Sequence, residues 1–176
     1  MALQAKIKMI PGRKAGITSV PVYSAPQKTS ATFIVGAPVK LSSGNLVAVT
    51  TANDASSDMT YIHASSTSTV LGISLGKAVS GDTHALPVAR FMEGVEFIGN
   101  LIHDTASSAK VSKVGSTVYF GQDKSSDTHW GWTLSGHGTS PATYVNGRIT
   151  GLVDPASTVN GRVLVSIVKG GLLSAF

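Results

Sequence analysis

The sequence predicts an all-β protein, a compact β-barrel or sandwich of short antiparallel strands preceded by an extended N-terminal arm. Runs of apolar and β-branched residues recur along the chain, and Gly-, Asn- and Asp-containing turn signals separate them. Only 13% of the 176 residues are charged, so the chain offers few of the Glu, Lys and Arg side chains that favour exposed helix surfaces. Strands at this spacing are typical of sandwiches and barrels.

Residues 1–30 form the predicted arm. Apolar side chains at every second position from Leu3 to Met9 alternate with Gln4, Lys6 and Lys8, which predicts a half-buried strand with one cationic face. Pro11-Gly12 is expected to end that strand. The segment from Arg13 to Ser30 contains Pro21 and Pro26 without helical periodicity, so we expect it to run extended over a surface.

Residues 31–176 are predicted to form a single β domain, with two β-rich halves at about 31–100 and 101–176 as the alternative. The predicted strands are Thr32–Val35, Pro38–Leu41, Leu46–Thr50, Met59–His63, Thr69–Leu75, Leu86–Phe91, Val95–Ile98, Ser116–Phe120, Trp130–Leu134, Ala142–Val145, Arg148–Val153 and Arg162–Val168. Hairpin turns are predicted at Ser43-Gly44-Asn45, Asn146-Gly147 and Asn160-Gly161, because Asn and Gly tolerate positive φ. Asp104 is placed to cap one short helix over Thr105–Val111.

An internal duplication is suggested by two pairs of glycines with the same spacing. Gly36 and Gly115 each begin a Gly-x-x-Val strand. Gly36 lies 36 residues before Gly72 (72 − 36), and Gly115 lies 36 residues before Gly151 (151 − 115). Equal spacing in two halves is the signature of a repeated supersecondary unit. In a glycine-rich chain, two matching offsets are also compatible with chance.

Composition and charge narrow the function classes. The chain has no cysteine, which excludes disulfides and thiolate metal sites, and no apolar run approaches the roughly 20 residues that span a bilayer. Its start lacks the continuous apolar stretch of a signal peptide, so we expect a cytoplasmic product. Residues 1–53 contain six Lys and Arg residues and no Asp or Glu, and the whole chain has a net charge of +5. This layout fits either an arm that docks on an acidic surface or an ordinary solvated tail.

Motifs of catalysis, metal binding and phosphate binding are not found, so an enzyme is a minority hypothesis and no cofactor is expected. The five histidines (His63, His84, His103, His129 and His137) form no metal-ligand spacing, and there is no Gly-x-Ser-x-Gly elbow or glycine-rich phosphate loop. Basic residues are not interleaved with aromatic ones, so no direct contact with nucleic acid is expected. Trp130 and Trp132 share one strand face, which fits a core or subunit interface better than a sugar platform.

Several segments of the body resemble the small decoration, or cement, proteins of tailed-bacteriophage heads. The segments are Gly36-Ala37-Pro38-Val39-Lys40-Leu41 with Gly44 and Val47, Val70-Leu71-Gly72-Ile73, Gly115-Ser116-Thr117-Val118-Tyr119-Phe120, Ile149-Thr150-Gly151-Leu152 and Gly161-Arg162-Val163-Leu164-Val165. They extend over most of the chain from about residue 33. The likeness is one of pattern, without a catalytic signature.

The resemblance implies a structural virion protein, made in the host cytoplasm, that binds the outside of an assembled capsid as a trimer and stabilises it. Its partners would be the major capsid protein and further copies of itself. The expected capsid contacts in the arm are Lys6, Lys8, Arg13 and Lys14 for electrostatic docking, with Ile7 and Met9 as apolar anchors. The alternatives are a tail or fibre component and a carbohydrate-binding module that uses Trp130 and Trp132.

Overall fold

The structure, a computed structural model, describes residues 10–14, 22–49, 59–61, 70–102, 109–123, 130–134 and 145–169. Nearly all regular structure in these residues is β, with a single 3₁₀ turn at Val111–Lys113. The strands are β1 Ile10–Lys14, β2 Val22–Pro26, β3 Pro38–Ser42, β4 Asn45–Ala48, β5 Met59–Tyr61, β6 Val70–Ser74, β7 Ala85–Arg90, β8 Val95–Asn100, β9 Thr117–Asp123, β10 Trp130–Thr133, β11 Asn146–Leu152 and β12 Arg162–Lys169.

The strands form two sheets. The first has the order β2-β7-β6-β3-β4, and the second has the order β1-β8-β12-β11-β9-β10 with β5 beside β9. All strand pairs within the sheets are antiparallel. The all-β prediction, a sandwich or barrel of short antiparallel strands, is therefore confirmed.

Each sheet is closed by one contact. In the first sheet β4 meets the residues that follow β2, and in the second sheet β10 meets the residues that follow β8. Gln27, which follows β2, forms a parallel bridge with Leu46 of β4, and the next residue, Lys28, donates its N–H to the Leu46 carbonyl at 3.0 Å. In the second sheet Leu101, which follows β8, forms the same parallel bridge with Trp132 of β10. Ile102 then donates its N–H to the Trp132 carbonyl at 2.8 Å.

Two five-stranded units with the same topology result. We call β2, β3, β4, β6 and β7 the first unit, and β8 to β12 the second unit. Chain order and sheet order correspond strand for strand, β2 with β8, β3 with β9, β4 with β10, β6 with β11 and β7 with β12. β1 and β5 are additions to the second unit.

The positions of the glycines show which residues of the two units correspond, and they correct the expected match between Gly72 and Gly151. Gly36 and Gly115 both have positive φ, 86° and 92°, three residues before the fully buried Val39 and Val118. Val39 pairs with Gly72, whereas Val118 pairs with Gly147. The counterpart of Gly72 is therefore Gly147, and the match with Gly151 was wrong. The chain from Gly115 to Gly147 is shorter than the chain from Gly36 to Gly72 (147 − 115 = 32 against 72 − 36 = 36), so equal spacing in sequence does not give equal position in the sheet.

The two units share one core around the segment that joins them. Phe91, which follows β7, packs edge-on against Phe97 and Phe120 of the second unit, with ring centroids 4.8 and 5.3 Å apart. Val70 and Ile73 of the first unit belong to the same buried cluster, and a smaller cluster fills the first unit alone. Strand alternation supplies these side chains, as in β12, where Val163, Val165 and Ile167 are buried.

The start of the β domain differs from the predicted boundary at Ala31. β2 lies well before that residue and pairs along its whole length with β7, and Ala25 and Gln27 are buried. The expected surface segment is thus partly a sheet edge, where Pro26 is tolerated because an edge strand needs bonds on one side only. β1 likewise runs through Pro11-Gly12, which was expected to end a strand, and its pairing with β8 is irregular there.

Four local predictions also need correction. Thr32–Val35, predicted as a strand, belongs to the loop between β2 and β3, where Phe33 forms only an isolated bridge with Ala78. Asn146-Gly147 begins β11 instead of forming a turn, since both residues pair with β9 and β12. Asn160 does adopt positive φ, 51°, but it closes a connection that runs over residues 153–161 and not a two-residue hairpin. Of the predicted helix, residues 105–108 lie outside the described residues, and the described remainder enters only the 3₁₀ turn.

Candidate functional site

The predicted capsid contacts fall into two groups. Lys6, Ile7, Lys8 and Met9 lie outside the described residues. Arg13 and Lys14 lie in β1, where Lys14 is opposite Val95 and Ile10 is opposite Ile98 of β8. Residues 10–14 of the predicted arm are therefore a strand of the protein's own second sheet, and their main chain is already paired on the side of β8.

Trp130 and Trp132 belong to the core of the second unit. Their exposed fractions are 6% and 0%, and both rings lie against Phe120, with centroids 5.8 and 5.4 Å away. A sugar-binding platform needs an exposed aromatic face. The burial of these two residues therefore does not support the carbohydrate-binding alternative that relied on them.

Titratable side chains in the described residues form pairs instead of clusters. No group of three His, Asp or Glu residues suited to a metal ion occurs in this part of the chain. The Nδ1 atom of His84 lies 2.5 Å from a carboxylate oxygen of Asp82, and this bond lowers the Asp82 pKa. Asp154 accepts bonds from the guanidinium and the N–H of Arg162, which lower the Asp154 pKa. Each pair holds the loop before the last strand of its unit.

Two loops meet at one end of the first unit. We call residues 28–37 and 75–84 the first loop end. Ala78 donates its N–H to the Phe33 carbonyl at 2.9 Å, and Gly81 donates to the Thr29 carbonyl at 2.7 Å. The fully buried Gln27 side chain donates to the Val79 carbonyl at 2.8 Å and accepts from the Val79 N–H at 3.3 Å. These bonds hold the two loops against each other.

The second unit has the corresponding pair of loops. We call residues 109–116 and 153–161 the second loop end. Ala109 and the 157–158 segment exchange two main-chain bonds, from the Ala109 N–H to the Thr158 carbonyl at 2.9 Å and from the Ser157 N–H to the Ala109 carbonyl at 2.5 Å. In both units the loop that precedes the second strand in chain order, β3 or β9, is therefore bonded to the loop that precedes the last strand in chain order, β7 or β12.

Exposed apolar side chains concentrate at these loop ends. Among the described residues nine large hydrophobic side chains are exposed, and seven of them lie there: Ile34, Val35 and Val79 at the first loop end, and Val111, Val114, Val153 and Val159 at the second. Val111 and Val159 are each 70% exposed. Apolar side chains gathered on loops held by main-chain bonds are typical of a contact surface for a partner.

The two loop ends lie away from the segment that joins the units. β7 runs from the first loop end to Arg90, next to that segment, and β12 runs from the second loop end toward Ile167. The Ile167 carbonyl accepts the N–H of Gly94 at 2.9 Å, so the far end of β12 also meets the joining segment. Each unit thus carries its valines at the end opposite its neighbour.

Neither the exposed apolar side chains of the loop ends nor the buried role of Gln27 was predicted from the sequence. The valines occur within turn-rich segments, where single apolar residues carry no periodic signal. Gln27 lay inside the predicted arm, and only the closure of the first sheet explains why a buried amide is needed there.

Comparisons with known proteins do not assign this chain to a family. No protein-family model matches it, and no curated protein is similar to it in sequence. Among the residues that the structure describes, none belongs to a helix long and apolar enough to cross a bilayer. The arrangement of the two loop ends therefore has to be interpreted from its own geometry.

Proposed function

We propose that this chain is a structural virion protein that attaches to the outside of an assembled tailed-phage head and stabilises the shell. The observation that carries the proposal is the presence of two equivalent apolar loop ends on one chain. A shell offers many copies of the same surface, so a protein with two equivalent contact faces can bind two neighbouring copies. Two weak contacts on one rigid body combine into a stronger one.

The pattern resemblance to decoration proteins supports the same proposal, and the charge distribution adds to it. The six basic residues before Asp54, without any acid, would attract acidic groups on the shell, with Lys6, Lys8, Arg13 and Lys14 as the docking charges. The partner is then the major capsid protein. This electrostatic part of the binding weakens as salt increases, whereas the part from the loop ends does not.

Co-sedimentation with empty, expanded heads that lack this protein tests the proposal. We expect saturable binding at regular positions on the outer surface, seen by electron microscopy. Replacing Val111 and Val159 together by Ser should weaken binding, because these side chains are the most exposed apolar groups of the second loop end. Val168→Ser is the matched control, since Val168 is 53% exposed but lies near the end of β12 away from that surface.

The arm is best tested by deleting residues 2–9. A longer deletion of residues 2–14 would also remove β1 and uncover the edge of β8, which carries the core residues Val95 and Phe97. Loss of binding after the longer deletion would therefore not separate the contact from the fold. A folded protein that does not bind heads, with or without the arm, would refute the proposal, and binding to isolated tails instead would favour a tail or fibre component.

A further inference from the structure

The two units differ at one position in their sheets. In the second unit the edge of β8 that faces away from β12 carries β1, over the register from Ile10 opposite Ile98 to Lys14 opposite Val95. The corresponding edge of β2 faces away from β7. Among the described residues, none pairs with this edge of Val22–Pro26, and the first pairing on that side is the bridge between Gln27 and Leu46. The repeat thus contains two equivalent strand-accepting edges, one filled from within the chain and one without a described partner.

Backbone groups on the β2 edge can be assigned from its hydrogen bonds. The Gln27 N–H donates to the His84 carbonyl at 3.2 Å, on the side of β7. Because backbone groups alternate sides along a strand, the N–H and C=O groups of Val22 and Ser24 face the other edge. Val22 is 56% exposed and the Ser24 side chain is also exposed. Unpaired strand edges of this kind are templates for an additional strand.

The filled edge of β8 leaves room for few further residues of β1. From Leu101, three residues after Ile98, the position beside the chain is taken by β10, through the bridge of Leu101 with Trp132 and the bond from the Ile102 N–H. The residues that precede Ile10 nevertheless have the pattern of a strand, with apolar side chains from Leu3 to Met9 at every second position. A strand-patterned segment and a strand-accepting edge are therefore both present on the same chain.

We propose that residues 2–9 of one copy pair with the β2 edge of a second copy, as an antiparallel strand beside Val22–Ser24. The antiparallel direction follows from the β1–β8 pairing at the equivalent edge. Ile7 and Met9 would lie on one face of the added strand and contact the neighbouring copy. Lys6 and Lys8 would lie on the opposite face and stay accessible to acidic groups outside the assembly. This self-association does not depend on shell binding.

Light scattering coupled to size-exclusion chromatography, together with sedimentation velocity, tests this pairing with the full chain. We expect an oligomer whose mass is a multiple of 18.1 kDa. Deleting residues 2–9 should reduce the mass to that of one chain. Ser24→Pro should do the same, because the ring replaces the outward N–H and obstructs the edge while the bonds to β7 remain. Ser24→Ala keeps the N–H and should still form the oligomer.

Mixing the two non-associating variants gives the decisive measurement. The deletion variant retains the accepting edge and Ser24→Pro retains the donating segment, so an equimolar mixture should form a mixed species. Unfolded variants would not complement each other, and circular dichroism checks the fold of each alone. A full chain that stays monomeric, or a Ser24→Pro variant that associates as well as the unchanged chain, would overturn the pairing without affecting the co-sedimentation result.

Discussion

Substitution of Gly72 by alanine should strongly destabilise the protein. A Cβ atom at this position would lie 1.9 Å from the Ala89 carbonyl oxygen and 2.8 Å from both the Ala89 carbonyl carbon and the Arg90 Cα. All three are main-chain atoms of the adjacent strand β7, so no side-chain rotation can relieve the overlap. β6 and β7 would have to move apart by more than about 1 Å to reach an ordinary contact of roughly 3.5 Å.

The expected cost can be worked out from these contacts. Overpacking a well-packed core costs about 1–3 kcal/mol, and each weakened ladder bond between the strands costs about 1 kcal/mol. The reduced entropy of the unfolded chain offsets about 0.4–1 kcal/mol. A net loss of about 3 kcal/mol corresponds to a fall in Tm of about 6–12 °C for a chain of this size. Gly147→Ala should behave alike, because its Cβ would meet Val165 Cγ1 at 2.4 Å and the Ser166 carbonyl oxygen at 2.6 Å.

Gly151→Ala is the matched control. A Cβ there has no atom within 4 Å, so alanine should leave Tm unchanged or raise it by about 1–4 °C. Differential scanning calorimetry and urea denaturation of the three variants measure the differences. The proposed register would be refuted if Gly151→Ala were as damaging as Gly72→Ala while Gly147→Ala was tolerated, because sequence spacing would then identify the true counterpart.

Three further predictions concern the loops and the core. Gln27→Ala should lower the free energy of unfolding by about 2–4 kcal/mol in urea, because the main-chain N–H and C=O of Val79 lose their buried partner; a loss under about 0.5 kcal/mol would contradict this. Trp130→Ala should cost about 3–5 kcal/mol as a core truncation, and normal stability with altered glycan binding would contradict its burial. Asp154→Asn should cost less than about 1 kcal/mol at neutral pH, since the Arg162 side chain is about half exposed and solvent screens the pair. The pKa of Asp154 is lower in the folded state than its ordinary value of 3.8, so the stabilisation is present above that value and lost as pH falls below it. Thermal midpoints of the two proteins should therefore converge in acid, and a gap that widened there would refute the assignment.

Local sequence patterns predicted most of the sheet content because the physical signals for these strands are local. The alternation in β12 predicted the buried residues Val163, Val165 and Ile167. The turn predicted at Ser43-Gly44-Asn45 joins β3 and β4, and Ser43 and Gly44 adopt positive φ there, 50° and 80°. In such segments the periodicity, the turn chemistry and the tertiary environment agree.

Other elements depend on contacts far away in the sequence. β2 contains Pro26 and lacks a clear apolar alternation, yet it becomes a strand because β7 provides the partner. Asn146-Gly147 has the composition of a turn, but β9 and β12 pair with it on both sides, and the absence of a side chain at Gly147 allows the close approach of β12. Tertiary pairing overrides local preference in both cases.

The exposed valines of the loop ends could not be predicted from the sequence for a related reason. Whether Val111 or Val159 is exposed depends on how the sheet of each unit closes. A single parallel bridge closes each sheet, and the periodicity of the sequence does not predict it. The duplication was visible as equal glycine spacing, but the strand register, not the spacing, decides which residues correspond. The candidate surface becomes visible only when the two units are compared strand by strand.

The two units of each chain share a single N-terminal segment, and this difference in number affects how copies can assemble. Each chain carries two equivalent loop ends but one N-terminal segment, while one of its two strand-accepting edges is already filled by its own β1. If every segment pairs with the β2 edge of a neighbour, donors and acceptors balance at one per chain, and a closed ring leaves no β2 edge unpaired. Such a ring would present two loop ends for every chain, all free for a second partner. Self-association would then use the β2 edge, whereas shell binding would use the loop ends together with the basic residues of the arm, so substitutions at Ser24 and at Val111 should affect the two processes separately.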